Sequence, residues 1–246
     1  MNGKFTKSYK VRGTELDQTY KMRKIFAASY FQECYAEKCA SLGLAAYDVQ
    51  KLGLTWIIAD MRMDFLSDAM PFWREEVEVS IWPSSKSPLF MAVDFVISTN
   101  GRGIAQGSTN WLLADDATHR PIRISPHADG FEVLPEKIFE NERFAKFEEP
   151  SGAKAGELER AVPSSEVDFN GHLTNVQYAP TAIEAVPLDY RLGHELKSYR
   201  IKFMREAFLG ERILSEAFDG GGGRFSHSIK RTSDGALLCR MESLWQ

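Results

Sequence analysis

Cysteine is scarce in this 246-residue chain: only Cys34, Cys39 and Cys239 are present. They are odd in number and form no metal-type cluster, which argues against a disulfide framework and for a reducing compartment. Long apolar runs are missing too, and none approaches the roughly 20 residues a membrane-spanning helix needs. Met1-Asn2-Gly3-Lys4-Phe5-Thr6-Lys7 lacks the apolar core of a secretion signal, so cytoplasm is the expected location. Positive charge is not in excess. A net charge of −4, with no long basic run or stacking motif, leaves no general attraction to nucleic acid. No metal or organic cofactor is indicated. What is present is ordinary for a globular protein, with 43% hydrophobic and 26% charged residues, enough for one large domain or two small ones.

The chain contains a gap-free internal repeat. Thr14-Glu15-Leu16-Asp17 through Glu33 can be laid on Ser165-Glu166-Val167-Asp168 through Glu184. Glu15 then matches Glu166, Asp17 matches Asp168, Ala28 matches Ala179 and Glu33 matches Glu184. Phe65-Leu66-Ser67-Asp68-Ala69 similarly matches Phe203-Met204-Arg205-Glu206-Ala207, which makes Asp68 the expected counterpart of Glu206.

Periodicity gives each copy one helix and a run of strands. Ile25, Ala28, Phe31, Tyr35 and Cys39 form a helical stripe that Gly43 is placed to end. Val176, Ala179, Ala182, Ile183 and Val186 form a second, closed by Pro187, with Pro180 early in it. Strand alternation marks Val77 to Ile81, Phe90 to Ile97 and Ile104 to Leu113, with an Asn100-Gly101 hairpin, and in the second copy Tyr199 to Phe203, Ile213 to Phe218, Phe225 to Ile229 and Ala236 to Trp245. The expected fold class is α+β, a helix on an antiparallel sheet, twice. The expected units are 1–125 and 156–246, joined by a proline- and charge-rich linker over 126–155.

Chemistry concentrates in Val167-Asp168-Phe169-Asn170-Gly171-His172-Leu173-Thr174-Asn175-Val176-Gln177-Tyr178. Asp168 is expected to N-cap the following helix, whose first-turn N–H groups suit a developing oxyanion. His172 is the side chain able to change protonation near neutral pH. A calcium loop fits poorly, because the sixth position is Leu173 where that turn needs glycine. In the first copy Asn170 and His172 are replaced by Thr19 and Lys21. The expected division is therefore a catalytic second unit and a non-catalytic first unit that serves as scaffold or binds substrate.

The chain resembles the acyl-[acyl carrier protein] thioesterases, a family with two hotdog units in one polypeptide. Gly53-Leu54-Thr55-Trp56 and Pro71 to Val79 are similar to the opening strands of that family's first unit. Gly107-Ser108-Thr109-Asn110-Trp111-Leu112-Leu113, followed by Thr118-His119-Arg120-Pro121, is similar to its closing strand and turn. Asp168, Asn170, His172, Asn175 and Tyr178 fit its D-x-N-x-H-x-x-N-x-x-Y pattern, and Arg205-Glu206 falls where it carries a catalytic glutamate. The likeness covers most of residues 8–245. Plant members have cysteine directly after that glutamate; here Ala207 excludes a thiolate at the position. They also carry an organelle-targeting extension with no match here, which implies a bacterial-type, cytoplasmic member.

The resemblance implies a double hotdog that hydrolyses fatty acyl-[acyl carrier protein] and releases free fatty acid. Glu206 is the expected base, His172 and Asn170 hold or polarise water, Asp168 orients its neighbours, and backbone N–H groups after Gly171 face the carbonyl oxygen. Trp56, Ile58 and Phe65 are the expected acyl-chain contacts. The carrier protein is small and acidic, so it should meet a basic cluster: Lys21, Arg23 and Lys24; Arg120 and Arg123; or Lys197, Arg200 and Lys202. Pairing into a homodimer is left open. The alternatives are a hotdog hydrolase of acyl-coenzyme A and a non-catalytic acyl-thioester-binding protein.

Overall fold

The computed structural model describes residues 3–140, 146–150 and 152–246, and the chain divides into two compact units, residues 1–144 and 145–246. In the first unit β1 (Phe5–Lys10) precedes α1 (Ala27–Ser41) and α2 (Ala46–Gln50). Strands β2 (Leu54–Phe65), β3 (Glu76–Lys86), β4 (Met91–Thr99) and β5 (Arg102–Asp115) follow. Their order is β1-β3-β4-β5-β2, with antiparallel pairing throughout. The second unit has β6 (Ala153–Ala161), α3 (Tyr178–Glu184), α4 (Leu188–Gly193), β7 (Leu196–Phe203), β8 (Arg212–Gly221), β9 (Arg224–Arg231) and β10 (Leu237–Trp245). Its order, β6-β8-β9-β10-β7, repeats the first element for element.

Burial explains the elements. Val77, Val79 and Ile81 are buried in β3 while Glu76 and Glu78 face solvent, the period-two pattern of a half-covered sheet. The α1 stripe buries Ala28, Phe31, Tyr35 and Cys39, with Phe31 stacked on Phe95 and Tyr35 on Trp111, each at 4.3 Å between centroids. Each fully buried side chain of this size contributes about 1.5–3 kcal/mol. Gly43 ends the region at φ 68°, as expected of a helix stop. The second helix is shorter. Pro180 sits in the first turn of α3, where no helical bond is lost, and Pro187 prevents continuation beyond Val186.

Three readings of the sequence are corrected. Strands β1 and β6 were not foreseen, because both are outer strands whose alternate positions are polar and exposed. The stretch read as a linker is largely tied down. Ala128 and Phe131 are buried, Trp82 Nε1 donates to Glu136 O at 2.9 Å, and Arg240 Nη1 donates to Glu148 O at 2.8 Å. β6 also begins inside it, at Ala153, and residues 141–145 and 151 lie outside the described residues. Third, Asp168 does not cap a helix. The helical region opens with a single turn, Asn175–Gln177, whose preceding residue is Thr174.

Candidate active site

Asp168 instead organises a tight loop. Val167 and Leu173 pair as an isolated bridge, Asp168 N donates to His172 O at 3.0 Å, and Gly171 N donates to Asp168 O at 3.0 Å. The Asp168 carboxylate accepts Asn170 N at 2.9 Å, the local turn that aspartate favours, and lies 3.7 Å from His172 Nδ1. The loop closes through the left-handed region at Gly171, φ 83°, where an added Cβ would meet only open space. Glycine takes this conformation without steric cost and leaves the backbone approachable.

The loop is laid against the segment between β7 and β8. His172 pairs with Phe208, and Leu173 N donates to Ala207 O at 2.7 Å. The Tyr178 hydroxyl reaches Arg205 O at 3.4 Å. Burial raises the Tyr178 phenol well above its ordinary value, and the Cys239 thiol and the Glu206 and Asp168 carboxylates push it further the same way. One phenol thus feels both carboxylates. His172 and Asp168 are about one-fifth exposed, and Glu206 is half-buried, so all three can meet solvent or a bound molecule. Phe169, Phe208 and Leu209 form an exposed apolar rim on the two segments.

The first unit carries the same backbone with other side chains. Asp17 N donates to Lys21 O, Met22 N to Pro71 O and Arg23 N to Glu15 O, as Asp168 N does to His172 O, Leu173 N to Ala207 O and Thr174 N to Glu166 O. This register makes Pro71 the counterpart of Ala207, so Glu206 corresponds to buried Met70 and not to Asp68. The first unit's loop is two residues longer between Phe65 and Pro71 than the second's between Phe203 and Ala207, which short sequence matching missed. Asp68 is ion-paired to Lys24, at 2.5 Å, and Lys24 stands where the second unit has Asn175.

The other expected site residues lie in the first unit. Ile58 and Phe65 are buried in β2, and half-buried Trp56 donates from Nε1 to Leu44 O at 3.0 Å. A cavity of about 100 Å³ in that unit is lined instead by Phe5, Tyr35, Ile81, Pro83, Val93 and Phe131, among others. Among the described residues no group of three or more histidine, cysteine or acidic side chains could hold a metal. No helix among them is long and apolar enough to cross a membrane.

The fold is shared with known proteins. A family model described as the acyl-ACP thioesterase N-terminal domain matches residues 2–129, and one for the C-terminal domain matches 152–246. A chloroplastic palmitoyl-acyl carrier protein thioesterase of Gossypium hirsutum is 23% identical over 98% of this chain and 63% of its own length. A chloroplastic acyl-[acyl-carrier-protein] hydrolase of Cuphea viscosissima is 24% identical over 97% of this chain and 61% of its own. The chain thus spans about three-fifths of the length of these curated relatives. Among solved structures, the 12:0-ACP thioesterase from Umbellularia californica superposes with a TM-score of 0.86 at 17% identity, covering 100% of this chain and 98% of that one. An acyl-ACP thioesterase from Bacteroides thetaiotaomicron gives 0.81 at 15% identity, with the same coverage. Two consecutive family models on a repeated helix-and-sheet fold leave one conclusion: the chain belongs to the acyl-[acyl carrier protein] thioesterase family.

Proposed function

We propose that this protein hydrolyses the thioester of a fatty acyl-[acyl carrier protein], releasing the free fatty acid and ending chain elongation. One observation carries the reading: the antiparallel bridge of His172 with Phe208, closed by the 2.7 Å hydrogen bond from Leu173 N to Ala207 O, lays the loop bearing Asn170 and His172 against the segment that carries Glu206.

In this reading water is held by the Asn170 amide and the His172 imidazole, and gives a proton to the Glu206 carboxylate as its oxygen attacks the carbonyl carbon. Negative charge gathers on the carbonyl oxygen, where backbone N–H groups stabilise it. The amides of Leu173 and Thr174 are already committed to Ala207 O and Glu166 O, so this role falls to His172 and the turn at Asn175. The C–S bond then breaks, and the leaving thiolate takes up the proton that Glu206 received from water, passed on through His172, which leaves both groups as they began. Asp168 keeps the loop closed and faces the imidazole. Trp56, Ile58 and Phe65 are proposed acyl-chain contacts of the first unit, and the cytoplasm is the proposed location.

Thiol release from carrier protein loaded with C8 to C18 chains, beside the same chains on coenzyme A, tests the assignment. Faster release from the carrier protein is expected. Preference for coenzyme A would move the protein to the acyl-coenzyme A hydrolases, and binding without release would make it a non-catalytic acyl-thioester carrier. An acidic carrier docking on one of the basic clusters also predicts a KM that rises with salt.

A further inference from the structure

The segment bearing Glu206 has no regular secondary structure, since β7 ends at Phe203 and β8 begins at Arg212. A base on such a stretch is useful only if its backbone is held within about 0.5 Å of the productive place. Two consecutive carbonyls supply that restraint. Ala207 O accepts Leu173 N, and Glu206 O accepts Nη2 of Arg231 at 2.9 Å. Arg231 ends β9 and is mostly buried. Its Nε donates to Glu211 Oε2 at 3.0 Å, and its Nη1 donates to Asp234 Oδ2 at 3.0 Å. The same Glu211 oxygen accepts Phe208 N at 2.9 Å. The guanidinium therefore grips the segment twice, directly at Glu206 and through Glu211 at Phe208. A rigid fork with donors in three directions can do this; an ammonium group is a point charge and cannot.

The first unit keeps half of the device. Glu75 Oε2 accepts Phe72 N at 2.7 Å, as Glu211 does for Phe208. At the end of β4, however, stands Thr99, whose hydroxyl donates to Glu76 O at 2.8 Å. The loop there is reached from β5, by Arg102 Nη2 to Ala69 O at 2.6 Å. The double grip accompanies the unit with the proposed base.

We infer that Arg231 is a positioning residue for Glu206, fixing the peptide from which that carboxylate springs without touching substrate. The inference rests on the proposed role of Glu206 as the base. The test is a double-mutant cycle on thioester hydrolysis, with Arg231→Met, Arg231→Lys, Glu206→Gln, Arg231→Met/Glu206→Gln and Asp234→Asn, each checked for native circular dichroism. Arg231→Met should lower kcat by roughly 10- to 50-fold with KM within about twofold, and lower it by less than about threefold once Glu206 is already glutamine. Arg231→Lys should fall between. Asp234→Asn removes one ion pair but leaves the donor to Glu206 O, so kcat should stay within about threefold of the parent. Equal losses for Arg231→Met in both backgrounds, or an unchanged kcat, would overturn the inference. If Arg231→Met does not fold, Arg231→Lys runs the same cycle with the same criteria. A fully active Glu206→Gln would sink the base assignment and this inference together, whereas an inactive Glu206→Gln beside a fully active Arg231→Met would sink the inference alone.

Discussion

Residues 17–22 of the first unit and 168–173 of the second follow one backbone path and spend their side chains differently. The second loop crosses the left-handed region at Gly171 and its neighbour at Gly210, with φ 83° and 78°. The first makes the same crossings with Tyr20 and Arg74, at φ 63° and 68°. Side chains in that region cost about 1–2 kcal/mol each, so the first unit is strained where the second is relaxed. The chemistry runs the other way: imidazole, amide and carboxylate in the second unit are lysine, threonine and an apolar methionine in the first. Backbone equivalence therefore does not predict chemical equivalence. The proposed active site lies in the unit where glycine leaves the loop open.

The sharpest way to break this contrast is by rate. His172→Ala or Glu206→Ala should lower thioester turnover by roughly 100-fold or more with folding intact, while Lys21→Ala or Asp68→Ala should change it by less than about twofold. Comparable losses in both units, read by steady-state thiol release, would abolish the division of labour.

A second contrast lies in the two cores. His227, in β9, faces Ala217 and Met241 across its strand pairs, as Phe95 faces Ile81 and Gly107 in β4. It is fully buried, its Nε2 is 2.9 Å from Ser243 Oγ, and burial depresses its pKa from 6.5 to about 4. Above pH 6.5 the ring is neutral folded or unfolded and adds no pH dependence. As pH falls below 6.5 the unfolded chain takes up a proton that the folded chain refuses until about pH 4, so stability is lost across that window by about 3 kcal/mol. His227→Phe, which copies the first unit, should flatten the denaturant midpoint between pH 6.5 and 4; an unchanged slope would show that other groups set it.

The smallest expected effect concerns strain. Tyr20→Gly and Arg74→Gly should each raise unfolding free energy by about 0.5–1 kcal/mol, while Gly171→Ala and Gly210→Ala should lower it by about 1 kcal/mol. Chemical denaturation of the four variants reads this directly, and loss of stability in Tyr20→Gly would mean that the tyrosine ring contributes more than its backbone costs.

The sequence was most legible where burial is one-sided. The α1 stripe and the alternation of β3 and β9 announce themselves because one face must be apolar. The outer strands β1 and β6 were invisible for the opposite reason, since solvated edges carry lysine and glutamate at positions that resemble a loop. The loop was legible as a cluster of residue types. Its geometry was not: Asp168 has the right identity for a helix cap, but the backbone first loops back to pair Leu173 with Val167, and the helical region begins only at Asn175. Arg231 was missed because nothing in Lys230-Arg231-Thr232 signals that its guanidinium reaches a carbonyl twenty-five residues back. Local pattern does not encode a long side chain's destination.

The three buried thiols have a practical consequence. Burial pushes Cys34 and Cys39 up to about 12 and raises Cys239 further, so the reactive thiolate is suppressed while the chain stays folded. Cys34 and Cys39 lie in α1 and Cys239 in β10. Timed alkylation read by mass would therefore follow transient opening of each unit separately, with reporters the chain already carries.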